Sequence, residues 1–151
     1  MVSFVDDWKG RYIKLAIILF FFCSQAAHAG DLADVKARGK LIMLSYPVQG
    51  NPFIAVDLEV MQQRGLKLMD LRKPDEFKGI DVELMNGFAK SLGVELEIHT
   101  NLGGWGALLP SLVHGDGDVA ACELTITPQR EKIAAFSRPY HSTWLAIAVR
   151  Q

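Results

Sequence analysis

A chain of 151 residues suits one domain and is short for two. Its 16 basic and 17 acidic residues leave a net charge of −1, with no basic patch or stripe that would draw it to nucleic acid. Hydrophobic residues at 50% and charged residues at 22% are ordinary for a globular protein that buries a core.

The N-terminus reads as a leader. Lys9, Arg11 and Lys14 precede the apolar run Leu15 to Phe22, and the small-x-small triplet Ala27-His28-Ala29 follows. That order is a secretory signal peptide over residues 1–29, with cleavage expected between Ala29 and Gly30 and delivery to the periplasm. An uncleaved anchor is the alternative, but the run falls short of the roughly 20 residues a spanning helix needs. Phe20-Phe21-Phe22 places no small residue before Cys23, so no lipid anchor is expected. Removing the leader leaves 13 basic against 15 acidic residues, net −2, and Cys122 as the one remaining thiol. That excludes an internal disulfide, and the apolar surroundings of Cys122 predict its burial.

From residue 30 onward, Leu41 to Ser45 predicts a buried strand. Asn51 to Phe77, with an internal glycine and the turn signal Lys73-Pro74-Asp75, predicts a loop holding one or two helical turns. Asp81 is expected to cap a helix whose apolar face is Leu84, Met85, Phe88, Ala89 and Leu92, stopped by Gly93. Val94, Leu96 and Ile98 alternate with Glu95, Glu97 and His99 as a strand with one polar face. Ala107 to Val113 predicts a helix with Pro110 near its start. Gly115-Asp116-Gly117 is a turn, Asp118 to Cys122 a strand, and Trp144 to Val149 a last apolar strand. Strands alternating with helices imply an α/β fold with a mostly parallel sheet covered on both faces.

Leu124 to Tyr140, LTITPQREKIAAFSRPY, raises a question of charge. Thr127 and Pro128 predict a helix start, Thr127 to Ala134, which puts Arg130 in a first turn that favours negative charge. A pocket for an external anion would explain the pairing of a fixed cation with free N–H groups. A surface arginine in a solvated pair with Glu131 or Asp116 is the other reading, and the residues alone do not separate the two.

Four segments in order, GIDVELMNGFAKSLGVELEI (Gly79 to Ile98), WGALLPSLVHGDGDV (Trp105 to Val119), LTITPQR (Leu124 to Arg130) and FSRPY (Phe136 to Tyr140), carry a resemblance to the family 3 extracellular solute-binding proteins of ABC importers. The resemblance covers roughly Lys40 to Arg150 and implies the first lobe of a periplasmic-binding-protein fold over residues 30–151, with the second lobe missing. It further implies a small ligand bearing a carboxylate, an amino acid or a relative, and a membrane permease as partner. By the same resemblance Arg130 is the carboxylate clamp with Thr125 beside it, and Trp105 packs against the ligand. The clamp fits the chemistry, since guanidinium and carboxylate pair through two parallel hydrogen bonds. For Trp105 a core position near the glycine turn is the alternative.

Two departures stand out. Glu123 occupies a position where the family usually has glycine or serine, so its carboxylate either binds an ammonium, obstructs the site, or points away. The segment Ser45 to Phe77 is longer than the family's loop, and Tyr46 and Phe53 are candidates for an aromatic wall. Tyr140 is read as structural.

No enzymatic motif emerges: GxSxG, HExxH and the phosphate-binding GxxxxGK[ST] are absent. His99, His114 and His141 lack metal-ligand spacing, and no cofactor is expected. Besides an importer's binding component, two readings stay open. One is a sensing or docking module of a longer protein, such as a lytic transglycosylase or sensor kinase. The other is an enzyme on the same scaffold, like the cyclohexadienyl dehydratases, in which Glu123 would act.

Overall fold

The computed structural model describes residues 32–142, 147, 148 and 150. The leader and most of the apolar run 144–149 lie outside them.

A short helix, α1 (Leu32–Arg38), precedes the first strand. It has Asp34 in its first turn and Lys36 and Arg38 in its last, the charge order that complements a helix dipole. The central strand β1 (Lys40–Ser45) is buried almost without interruption, as expected for a strand covered on both faces. Leu41, Met43 and Leu44 are each no more than 3% exposed. Full burial of side chains of this size contributes about 1.5–3 kcal/mol apiece.

The stretch expected to be a loop with helical turns holds such turns and more. A two-residue strand β2 (Ala55–Val56) leads into α2 (Leu58–Arg64). Asp57 caps α2 by accepting from Glu59 and Val60 N–H, and Gly65 ends it at φ +63. Two single-turn 3-10 segments follow, then β3 (Phe77–Lys78), which pairs antiparallel with β2. Strands of two residues leave too little alternation to read.

Helix α3 (Ile80–Leu92) and strand β4 (Glu95–Thr100) form as expected, with two corrections. Gly79, not Asp81, is the N-cap. Asp81 lies inside the first turn, fully buried, with its carboxylate committed elsewhere. The inward face of α3 is Val82, Met85, Ala89 and Leu92, whereas Leu84 and Phe88 stand 48% and 45% exposed. Moving the helix start back from Asp81 rotates none of these positions. The core is narrow and accepts only one stripe of a helix that is apolar over a wider arc.

β4 runs parallel to β1 in a register from Lys40↔Glu95 to Ser45↔Thr100. Helix α4 (Trp105–His114) contains Pro110 in its interior, not near its start. Gly106, four residues earlier, is exposed, so the carbonyl that Pro110 leaves without a donor can reach water. β5 (Val119–Ala120) is shorter than the expected Asp118 to Cys122, because Asp118 turns its carboxylate onto the Ile42 N–H at 2.7 Å and the chain bends at Glu123. Its partner is the other edge of β1.

The sheet order is therefore β4-β1-β5, all parallel. The β1-to-β4 and β4-to-β5 connections move in opposite directions across it, so right-handed crossovers place α3 and α4 on opposite faces. The last helix, α5 (Pro128–Glu131), is a single turn, shorter than the expected Thr127 to Ala134. In this architecture the positions just beyond the carboxyl ends of parallel strands are where ligands bind. They are Tyr46, Asn101 to Trp105 and Ala121 to Glu123.

Candidate functional site

The carboxyl edge of the sheet gathers most of the residues singled out from the sequence. Trp105, first residue of α4, is 44% exposed, and its indole N–H donates to the Cys122 thiol at 3.2 Å. The thiol in turn donates to the Tyr46 carbonyl at 3.0 Å. Tyr46 meets the Trp105 ring edge-on, with centroids 5.4 Å apart and planes at 76°. Such edge-to-face pairs contribute about 0.5–1.5 kcal/mol beyond area burial. Trp105 is thus no core residue; it is a rim aromatic fixed from beneath by a buried sulfur. Cys122 is fully buried as expected, and burial pushes its thiol up from the ordinary range.

Of the two aromatic-wall candidates, Tyr46 lies at this edge against Trp105 and Phe53 does not. Phe53 is 5% exposed and packs against the His141 ring, 5.1 Å away.

Glu123 follows Cys122 directly. Among the described residues it is the one non-glycine with positive φ, +52. That conformation is natural for glycine and costs a residue with a Cβ about 1–2 kcal/mol. A glycine here would adopt this turn without that cost. The Glu123 N–H donates to Asp81 Oδ2 at 3.1 Å, while its exposed carboxylate accepts from Asn51 Nδ2 at 3.2 Å.

Asp81 is the residue the sequence reading missed as part of this edge. Its other oxygen, Oδ1, accepts from the Tyr140 hydroxyl at 2.6 Å. Burial pushes the Asp81 carboxyl up, against the opposing pull of those two donors. The same burial, joined by the bond to Asp81, pushes the Tyr140 hydroxyl up. This bond ties Tyr140, read from the sequence as structural, to the buried carboxylate. Asn51 was also missed; a lone asparagine in an irregular loop carries no signal of its partner.

Thr125 and Arg130 are brought together. The Arg130 guanidinium donates through Nη1 to the Thr125 carbonyl at 2.8 Å, which aims the side chain back along the segment. Thr127 caps α5, its hydroxyl accepting the Arg130 N–H at 3.3 Å. The charge conflict expected at this helix is small. One turn of helix has little dipole, and Arg130 is as much in its last turn as in its first. Among the described residues no carboxylate lies within ion-pair distance of Arg130, so pairing with Glu131 or Asp116 is not what holds it. Asp116 instead bonds His114 at 2.8 Å.

A groove of about 740 Å³ between α3 and the β3–β4 side contains none of these residues. Lys73, Lys78 and Lys90 alternate there with Asp75, Glu83 and Glu95, which makes it a solvated surface of mixed charge.

The chain is 48% identical over 131 residues to the membrane-bound lytic murein transglycosylase F of Desulfosudis oleivorans, covering 87% of this chain and 24% of that protein. It is 41% identical over 156 residues to the protein of the same name from Maricaulis maris, covering 97% and 30%. It thus spans only about a quarter to a third of the length of these relatives. Among solved structures, the arginine-bound form of domain 1 of the T. maritima protein ArgBP superposes with a TM-score of 0.56 at 33% identity, covering 71% of each chain. The family model of the bacterial extracellular solute-binding proteins, family 3, matches residues 60–151, well over half of the sequence, and the chain belongs to that family.

Proposed function

We propose that this chain binds a small carboxylate-bearing solute, an amino acid or a close relative, at the carboxyl edge of its sheet. Arg130, held by Thr125, takes the carboxylate; Trp105, backed by Tyr46, covers the body of the ligand; Glu123, steadied by Asn51, receives an amino group. The observation that carries the reading is Arg130 itself, a half-buried guanidinium oriented by a backbone carbonyl with no carboxylate partner among the described residues. Membership of a solute-binding family and the likeness to an arginine-bound domain support it.

Two settings fit such a lobe: the binding component of an ABC importer, docking on a membrane permease, or the ligand-sensing module of a longer envelope protein. The relatives favour the second. Both are named membrane-bound lytic murein transglycosylases, and the match occupies a minor part of each. In this setting the lobe works in the periplasm, to which the basic, apolar, small-residue leader directs it, and chemistry belongs to a separate domain.

Calorimetry with L-arginine and with agmatine, its counterpart lacking the carboxylate, tests the recognition chemistry. L-arginine is expected to bind and agmatine to lose at least tenfold in affinity. Equal binding of the two would remove Arg130 from the role given to it. An immunoblot of source-cell envelopes, with antibody to residues 79–98, tests the setting; a band far above 16.7 kDa is expected.

A further inference from the structure

Asp81 is fully buried at the start of α3, yet it neither caps the helix nor forms an ion pair among the described residues. A buried carboxylate without a counter-charge is held by the hydrogen bonds it accepts. Both of its bonds come from distant segments: Tyr140, 59 positions along the chain, and the Glu123 N–H, 42 positions along. Its own N–H donates to the Phe53 carbonyl at 2.9 Å, which seats the α3 start against the loop that also carries Asn51. Glu123 is therefore gripped twice, its backbone by Asp81 and its carboxylate by Asn51.

We infer that Asp81 is a positioning residue for the recognition edge: it holds Glu123 in a left-handed turn, which sets the direction of the Glu123 carboxylate and the course of the backbone into Thr125, and it fastens that turn to Tyr140. The consequence for ligand affinity rests on the binding role proposed for this edge; the consequence for the backbone at Glu123 does not. Through this one carboxylate, the edge and the segment at Tyr140 are tied to the same point of the core.

The test uses the whole 151-residue chain and two readouts, NMR of residue 123 and calorimetry with L-arginine. Asp81→Ala removes both acceptor oxygens, so neither Tyr140 nor the Glu123 N–H keeps its partner. The three-bond HN–Hα coupling of Glu123 is expected to move away from its left-handed value. Its amide exchange should rise about tenfold or more, the loss of one charge-assisted bond. Amides of the β1–β4 ladder should not follow to the same extent, and arginine affinity should fall by at least a few-fold. In Glu123→Gly the turn needs no restraint, so adding Asp81→Ala should leave residue 123 left-handed and affinity no weaker than in Glu123→Gly alone. A folded Asp81→Ala in which Glu123 keeps its coupling and protection overturns the inference. So does a uniform rise in exchange across the protein, which would mark Asp81 as a core residue and no more. A lost turn with unchanged arginine binding upholds the positioning role and removes the edge as the binding site. If Asp81→Ala does not fold, Asp81→Asn decides: its Nδ2–H can donate to the Tyr140 oxygen while its Oδ1 takes the Glu123 N–H only as a neutral, weaker acceptor, so exchange at Glu123 is expected to rise a few-fold, and unchanged exchange is the refutation.

Discussion

The indole N–H of Trp105 rests on the Cys122 thiol, 3.2 Å away, so the exposed aromatic at the sheet edge is fixed by an atom that solvent does not reach. Burial raises the Cys122 thiol and leaves little thiolate at neutral pH, and thiolate is the reactive form. In the folded protein Cys122 should therefore react with a disulfide reagent far more slowly than in denaturant. Cys122→Ala should cost about 1–2 kcal/mol through the lost sulfur volume. The Trp105 indole proton should then exchange faster in NMR spectra; unchanged exchange would show the ring to be held by Tyr46 alone.

Arg130 should matter for binding and little for folding. Arg130→Ala removes a charge-assisted pair with the ligand, an expected loss of about 1.5–3 kcal/mol in affinity for L-arginine. Arg130→Lys keeps the charge but loses the planar pair of donors and should bind weakly as well. Melting temperature, measured on the same samples, should hardly move. A strong fall in melting temperature with unchanged affinity would make Arg130 a structural residue.

Glu97 sets an acid limit. The hydrogen bond from Lys40, and secondarily that from His99, each at 2.8 Å, hold its carboxyl at about 2, below the ordinary 4.5. A carboxyl depressed in the folded state favours folding while ionised. This contribution is complete above the ordinary value and is lost as pH falls from about 4.5 to about 2. Melting temperature should decline through that window, and Lys40→Met should flatten the decline. Lys40 is nearly half exposed, so salt should weaken the effect.

Gly79 is the point where the α3 start touches the loop beneath it. Its φ of +130 disfavours any side chain, and a Cβ there would sit 2.3 Å from the Phe53 carbonyl oxygen. Gly79→Ala should destabilise the chain by about 2–4 kcal/mol, strain and overpacking together. Since Asp81 follows two residues later, the same substitution should speed amide exchange at Glu123. Denaturant unfolding and hydrogen exchange measure the two effects.

Much of the fold was legible because it is written in local period. Leu41 to Ser45, the alternation from Val94 to His99 and the apolar spacing from Leu84 to Leu92 each specify an element without reference to the rest of the chain. Gly93 and Gly115 stop helices by adopting the left-handed conformation that other residues resist. The TxTPxR segment likewise declared its contents, because Thr125, Thr127 and Arg130 lie within one turn of each other and bond among themselves. Other features had no local expression. Whether Leu84 and Phe88 face the core depends on how wide a groove the sheet offers, and Asp81 reads from its neighbours as a helix cap. Only the folded chain brings Asp81 to Tyr140 and Glu123, Cys122 to the Tyr46 carbonyl 76 positions before it, and Asn51 to Glu123. A hydrogen bond acts over about 3 Å, whichever way the chain travels between its ends. Sequence spacing therefore specifies the elements, and the packing of those elements decides which polar groups meet at the edge of the sheet.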